Sequence, residues 1–135
     1  MYPHVIRLRG PWECVPVDAP ESEPVRVTPP CDVREALGAE FRGRVLLRRS
    51  FHAPVALVAN EVLWLAIDSV GGPTRVTLDG ALLGEIAPGR DVVWDRDITA
   101  RQQTRMLLLI EVTVGDSTGG PTLGAVRLEV RDARN

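Results

Sequence analysis

Short apolar segments, each alternating with polar residues or running unbroken between Gly, Pro and Asp, fill most of this chain, and no stretch sustains the 3.6-residue period of a long helix. Such segments can bury one face only by pairing as strands. The pattern predicts strands over residues 5–8, 13–17, 25–28, 44–51, 62–70, 75–78, 82–85, 92–95, 106–114 and 125–130. The strongest local signal is Asp79-Gly80 between Val76-Thr77-Leu78 and Ala81-Leu82-Leu83, because Asp-Gly supplies the two positive φ angles of a type I′ hairpin. Residues 32–38 read as one short helical insertion, with Asp32 as its N-cap and Gly38 as its stop. Residues 16–30 and 119–121 are rich in Pro or Gly and read as loops. With 135 residues there is room for one domain, spanning 1–135, and so many short strands in it predict an all-β, antiparallel β-sandwich or a closed barrel.

Composition then narrows the function. All 16 basic residues are Arg, so Schiff-base and lysine-nucleophile chemistry is excluded. A net charge of −2 leaves no electrostatic footprint for nucleic acid or an anionic membrane. No apolar run, 106–110 included, approaches the length of a bilayer span, and the first residues turn polar before a signal-type apolar core forms, so the expected compartment is the cytoplasm. Cys14 and Cys31 lack zinc or CxxC spacing; free buried thiols are expected, with a disulfide between them left open. His4 and His52 lie near no nucleophile elbow, and the pairs Asp95/Asp97 and Glu21/Glu23 have the spacing of solvated acids on one strand face. Phosphate-binding glycine motifs are absent. No catalytic residue and no cofactor is predicted.

In order along the chain, five segments carry a likeness to a known family. They are Leu8-Arg9-Gly10-Pro11-Trp12, Arg48-Arg49-Ser50-Phe51-His52-Ala53-Pro54, the ungapped stretch 63–84 with Val76-Thr77-Leu78-Asp79-Gly80, Asp95-Arg96-Asp97-Ile98-Thr99, and Leu108-Leu109-Ile110-Glu111-Val112. This order resembles the sugar-binding, jelly-roll N-terminal domain of the β-galactosidase/β-glucuronidase group of glycoside hydrolases, within the galactose-binding-domain-like superfamily. The resemblance implies a jelly-roll sandwich. Asp79 stands where the family usually has Asn, which a type I′ turn accommodates. The family's Gly-Ile-x-Arg segment corresponds to Gly119-Gly120-Pro121-Thr122-Leu123-Gly124, without the arginine, and the 135 residues hold none of the catalytic barrel. The resemblance therefore implies a non-catalytic carbohydrate-binding module, the alternative being a structural or protein-interaction module with no sugar affinity. Some relatives hold calcium; Asp116, Asp95 and Asp97 carry suitable oxygens, but no calcium-loop spacing accompanies them and no metal site is predicted.

Sugar sites combine an apolar platform with polar groups for hydroxyls. Trp12 corresponds to the family's packed tryptophan. Trp94, in a polar and loop-adjacent setting, is the candidate platform, and His52, Asn60, Arg90, Asp91 and Arg96 are the candidate polar ligands, with a core role for Trp94 as the competing reading. Alternation with Leu63, Leu65 and Ile67 inside turns Trp64 outward, and with Met106, Leu108, Ile110 and Val112 inside it turns Leu107 and Leu109 outward. The family places these strands close in one sheet. Trp64, Leu107 and Leu109 are therefore expected to form one exposed patch for a homodimer or a partner protein, unless the 16–30 loop covers them.

Overall fold

In the computed structural model, which describes residues 4–52, 57, 58, 60–88, 93–101, 103–115 and 121–133, the alternating segments pair into two antiparallel sheets. The strands are β1 (His4–Arg7), β2 (Trp12–Pro16), β3 (Val25–Val27), β4 (Gly43–His52), β5 (Glu61–Ile67), β6 (Thr74–Leu78), β7 (Ala81–Ile86), β8 (Trp94–Asp97), β9 (Arg105–Val114) and β10 (Val126–Asp132). One sheet has the order β1-β10-β5-β8 and the other β3-β2-β4-β9-β6-β7. Each expected strand is present with its ends moved by three residues or fewer, and the architecture is the expected sandwich.

The core lies between the sheets, where period two delivers it. Leu63, Leu65 and Ile67 from the four-stranded sheet meet Met106, Leu108, Ile110 and Val112 from the six-stranded one, and all seven are buried. Polar bonds fix the corners. Trp12 is fully buried and its indole N–H donates to the Leu8 carbonyl at 2.9 Å, while Arg49 Nε donates to the Arg9 carbonyl at 2.8 Å, so both clamp the crossover from β1 to β2. At the β6–β7 hairpin Asp79 and Gly80 have φ of 50° and 86°, as a type I′ turn requires. The Asp79 carboxylate also accepts the Leu107 N–H at 2.8 Å, which docks the turn on β9. Beyond β8, the Thr99 hydroxyl accepts the Leu63 N–H at 2.7 Å and donates to Asp97 at 2.6 Å. Asp97 is thereby a turn-forming residue.

The helix is shorter than expected. α1 spans Arg34–Leu37 with Val33 at the N-cap position, although the Asp32 carboxylate still accepts the Arg34 N–H at 3.0 Å. Thr99–Arg101 adds a 3-10 turn absent from the sequence reading. Cys14 and Cys31 are free thiols, and burial pushes them up to about 11 and about 12, so both are protonated at neutral pH.

The expected shared patch of Trp64, Leu107 and Leu109 does not form, because β5 belongs to the four-stranded sheet and β9 to the six-stranded one. Alternation sets which way a side chain points from its strand but not which sheet the strand joins. All three point outward, on opposite sides of a sandwich whose sheets lie about 10 Å apart.

Candidate functional site

The two outer faces differ in how their side chains are partnered. On the four-stranded face, Arg131 stacks on Trp64 with its guanidinium carbon 4.3 Å from the ring centre. Arg131 also pairs with Glu129 at 2.6 Å and Asp95 at 3.0 Å, and Arg127 pairs with Glu129 at 2.7 Å and with Asp68. Burial alone would raise the Glu129 carboxyl, but hydrogen bonds from Arg127 and Arg131 outweigh it and hold the group below the usual carboxylate range. The charges at the centre of this face are spent on one another, while Arg7 at its β1 edge is exposed and forms no ion pair among the described residues.

The six-stranded face carries ion pairs of its own, Arg44 with Glu111 at 3.7 Å and Arg75 with Glu85 at 3.3 Å, and is open toward β3. From β3 across β2 and β4 to β9, cross-strand neighbours place Arg26, Glu13, Arg48 and Leu109 in one row, with Ser50 and Leu107 in the next. Between them lies a groove of about 550 Å³ bordered by Arg26, Glu13, Arg48, Ser50, Leu107 and Pro11. Arg48 gives its Nε to Glu13 at 2.9 Å, and no other protein acceptor for its guanidinium is found among the described residues. Arg26 is exposed and forms no ion pair among the described residues. Leu107, 39% exposed, supplies the apolar floor. A second cleft of about 530 Å³ lies beyond β3, between Arg26, Thr28, Cys31, Asp32, Glu35 and Pro121.

Of the sequence-predicted ligand residues that are described, Trp94, Arg96, His52 and Asn60, the fold unites Trp94 and Arg96. Trp94 is 8% exposed and belongs to the core, so it is not an open platform. It sits on the inward phase of an edge strand opposite Ile67, and Arg96 stacks on its ring at 4.8 Å. Gly84 makes room for the pair: a Cβ there would stand 3.1 Å from Trp94 Cζ2 and 3.4 Å from an Arg96 nitrogen. The Trp94 indole N–H is buried and has no acceptor among the described residues. His52 is exposed at the end of β4, and Asn60 is exposed with φ of 75°; neither bonds to Trp94 or Arg96. Arg90 and Asp91 lie outside the described residues, as does Asp116. Among the described residues no group of three or more His, Cys, Asp or Glu is arranged to hold a metal.

Solved structures share this arrangement of strands. An FMN-binding β-glucuronidase from Faecalibacterium prausnitzii superposes with a TM-score of 0.79 at 19% identity, over 96% of this chain and 23% of its own. The β-glucuronidase of Bifidobacterium dentium, solved with coumarin-3-O-glucuronide, gives 0.75 at 20% identity, over 96% of this chain and 30% of its own. That of Dictyoglomus thermophilum gives 0.77 at 15% identity, over 96% and 28%. The fold is that of a β-glucuronidase sandwich. At these identities the likeness is one of fold, and the chain spans less than a third of each of these enzymes. No family model and no curated protein matches the chain by sequence.

The segments that carried the resemblance have structural work in this chain. Trp12 and Arg49 clamp the β1–β2 crossover, Asp79 docks the hairpin and Thr99 ties β8 to β5. The groove residues Arg26, Glu13 and Leu107 were missed as ligands because they come from three strands far apart in sequence. The only signal available was the polar run Arg48-Arg49-Ser50 on β4, all three of which border the groove.

Proposed function

We propose that this chain is a non-catalytic, glycoside-hydrolase-related module that binds carbohydrate in the groove on its six-stranded face. One observation carries the reading: Arg26, Arg48, Glu13 and Ser50 converge around Leu107 and Pro11 in a single groove. Guanidinium groups donate to sugar hydroxyls in a fixed plane, the Glu13 carboxylate accepts from them, and Leu107 with Pro11 meets the apolar face of a ring. Without an aromatic platform, binding is weak, in the region of a Kd of about 1 mM. Titration calorimetry with neutral and uronic acid saccharides tests this. Binding that falls at least fivefold in Arg48→Ala supports it; no heat with any of them, or heat indifferent to Arg48, contradicts it. Incubation with an aryl β-glucuronide is expected to release no product.

A second reading, a protein-interaction module, is favoured by the exposure of Leu107 together with Leu82, 54% exposed on the neighbouring hairpin. The same face would then meet a partner or a second copy. Sedimentation of the native chain separates the readings, since a stable dimer lost in Leu107→Glu would assign the face to protein.

A further inference from the structure

The groove and the cleft beyond β3 share one residue, Arg26. Arg26 is the outward-facing residue of a three-residue edge strand, and its neighbour Val27 is buried against the core. Its side chain is thus the ridge between two depressions of similar size, about 550 and 530 Å³. The groove alone crosses from β3 to β9, three strand spacings or roughly 14 Å, and the cleft continues past the sheet edge, so the combined surface is longer than one sugar ring. The chemistry on the two sides differs. The groove presents Arg26 and Arg48 as donors, with Arg49 also on its border, against the single carboxylate of Glu13, whereas the cleft presents Asp32 and Glu35 as acceptors. Asp32 already accepts from the Arg34 N–H and the Thr122 hydroxyl, which holds its carboxylate in place; Glu35 is exposed.

We infer that the ligand of this face is an extended saccharide chain which crosses the β3 edge, one segment in the groove and the next in the cleft, with Arg26 contacting both. The inference rests on the carbohydrate reading above and adds to it the length and direction of the ligand. Two weak contacts on one chain act in concert, because the second forms at the high effective concentration set by the first. Single rings gain nothing from the cleft.

The test is calorimetry with β-linked gluco-oligosaccharides of one, two, four and six rings, and with the matching series of uronic acid oligosaccharides. Affinity should rise at least about tenfold from one ring to four or six in at least one series. Glu35→Ala, remote from the groove, should reduce that gain severalfold while leaving single-ring binding unchanged, and Arg26→Ala should weaken long chains more than single rings. A single ring that binds as tightly as six, or a six-ring affinity indifferent to both Glu35→Ala and Arg26→Ala, would overturn the extended-ligand inference while the groove reading stands. Absence of binding at every length in both series would overturn both.

Discussion

The outward row of β5 and β10 and the outward row of β4 and β9 start from the same alternating pattern and end in opposite states. On the four-stranded face, Trp64 lies beneath Arg131, and Asp68, Arg127, Glu129, Arg131 and Asp95 form a continuous chain of ion pairs. In the groove of the six-stranded face, Arg48 has one carboxylate partner, Arg26 has none among the described residues, and Leu107 is open to solvent. The lesson concerns neighbours. A large apolar residue facing outward marks a partner surface only if the strands beside it leave it uncovered, and β10 covers Trp64 with its own arginine. Ion pairs also bridge the outer surface of the six-stranded sheet, Arg44 with Glu111 and Arg75 with Glu85, so what leaves the groove able to bind is local: arginines outnumber the one carboxylate of Glu13 there, over an apolar floor.

The largest effect should come from removing the centre of the closed face. Glu129→Ala leaves two part-buried guanidinium groups short of an acceptor and should cost about 2 kcal/mol in urea denaturation; a midpoint unchanged from the native chain would show that the network is ornamental. The same carboxyl gives a pH signature. Because it is held below its unfolded value, its stabilisation is complete above the ordinary carboxylate range and is lost as pH falls through the lowered folded value. Stability should therefore decline in acid in the native chain, and Glu129→Gln should remove that part of the decline. A native chain as acid-sensitive as Glu129→Gln would contradict the pairing.

Next in size is the cover over Trp64. Arg131→Ala should cost about 1 kcal/mol and shift tryptophan emission to the red, and since Trp12 and Trp94 stay buried the shift reports Trp64. Unchanged emission would mean that something else covers the ring. The smallest effect belongs to the open face: Leu107→Ser should alter stability by less than about 0.5 kcal/mol. A larger loss would show that Leu107 is part of the packing and not a binding floor.

Most of the fold was legible because period two and turn chemistry are local. Leu63, Leu65 and Ile67 announced their face, and Asp79-Gly80 announced its hairpin. The assignment of β5 and β9 to sheets was not legible, since sheet membership is decided by pairing between distant strands, and the Trp64–Leu107–Leu109 patch dissolved for that reason. Trp94 failed as a platform by the same logic. Its polar sequence neighbours, Asp95 and Asp97, point outward while Trp94 points into the sandwich, toward a gap that Gly84 leaves on the other sheet. The groove was legible least of all, because Glu13, Arg26, Arg48 and Leu107 meet only through the β3-β2-β4-β9 ladder.

The claim that function resides on the six-stranded face, and not on its closed counterpart, is tested most directly by mapping amide chemical shifts while a six-ring saccharide is titrated into the protein. The account predicts shifts at Glu13, Arg26, Arg48, Ser50 and Leu107, with Trp64, Arg127 and Glu129 unmoved. Shifts clustered at Trp64, Arg127 and Glu129, or no shifts at any attainable concentration, would contradict it.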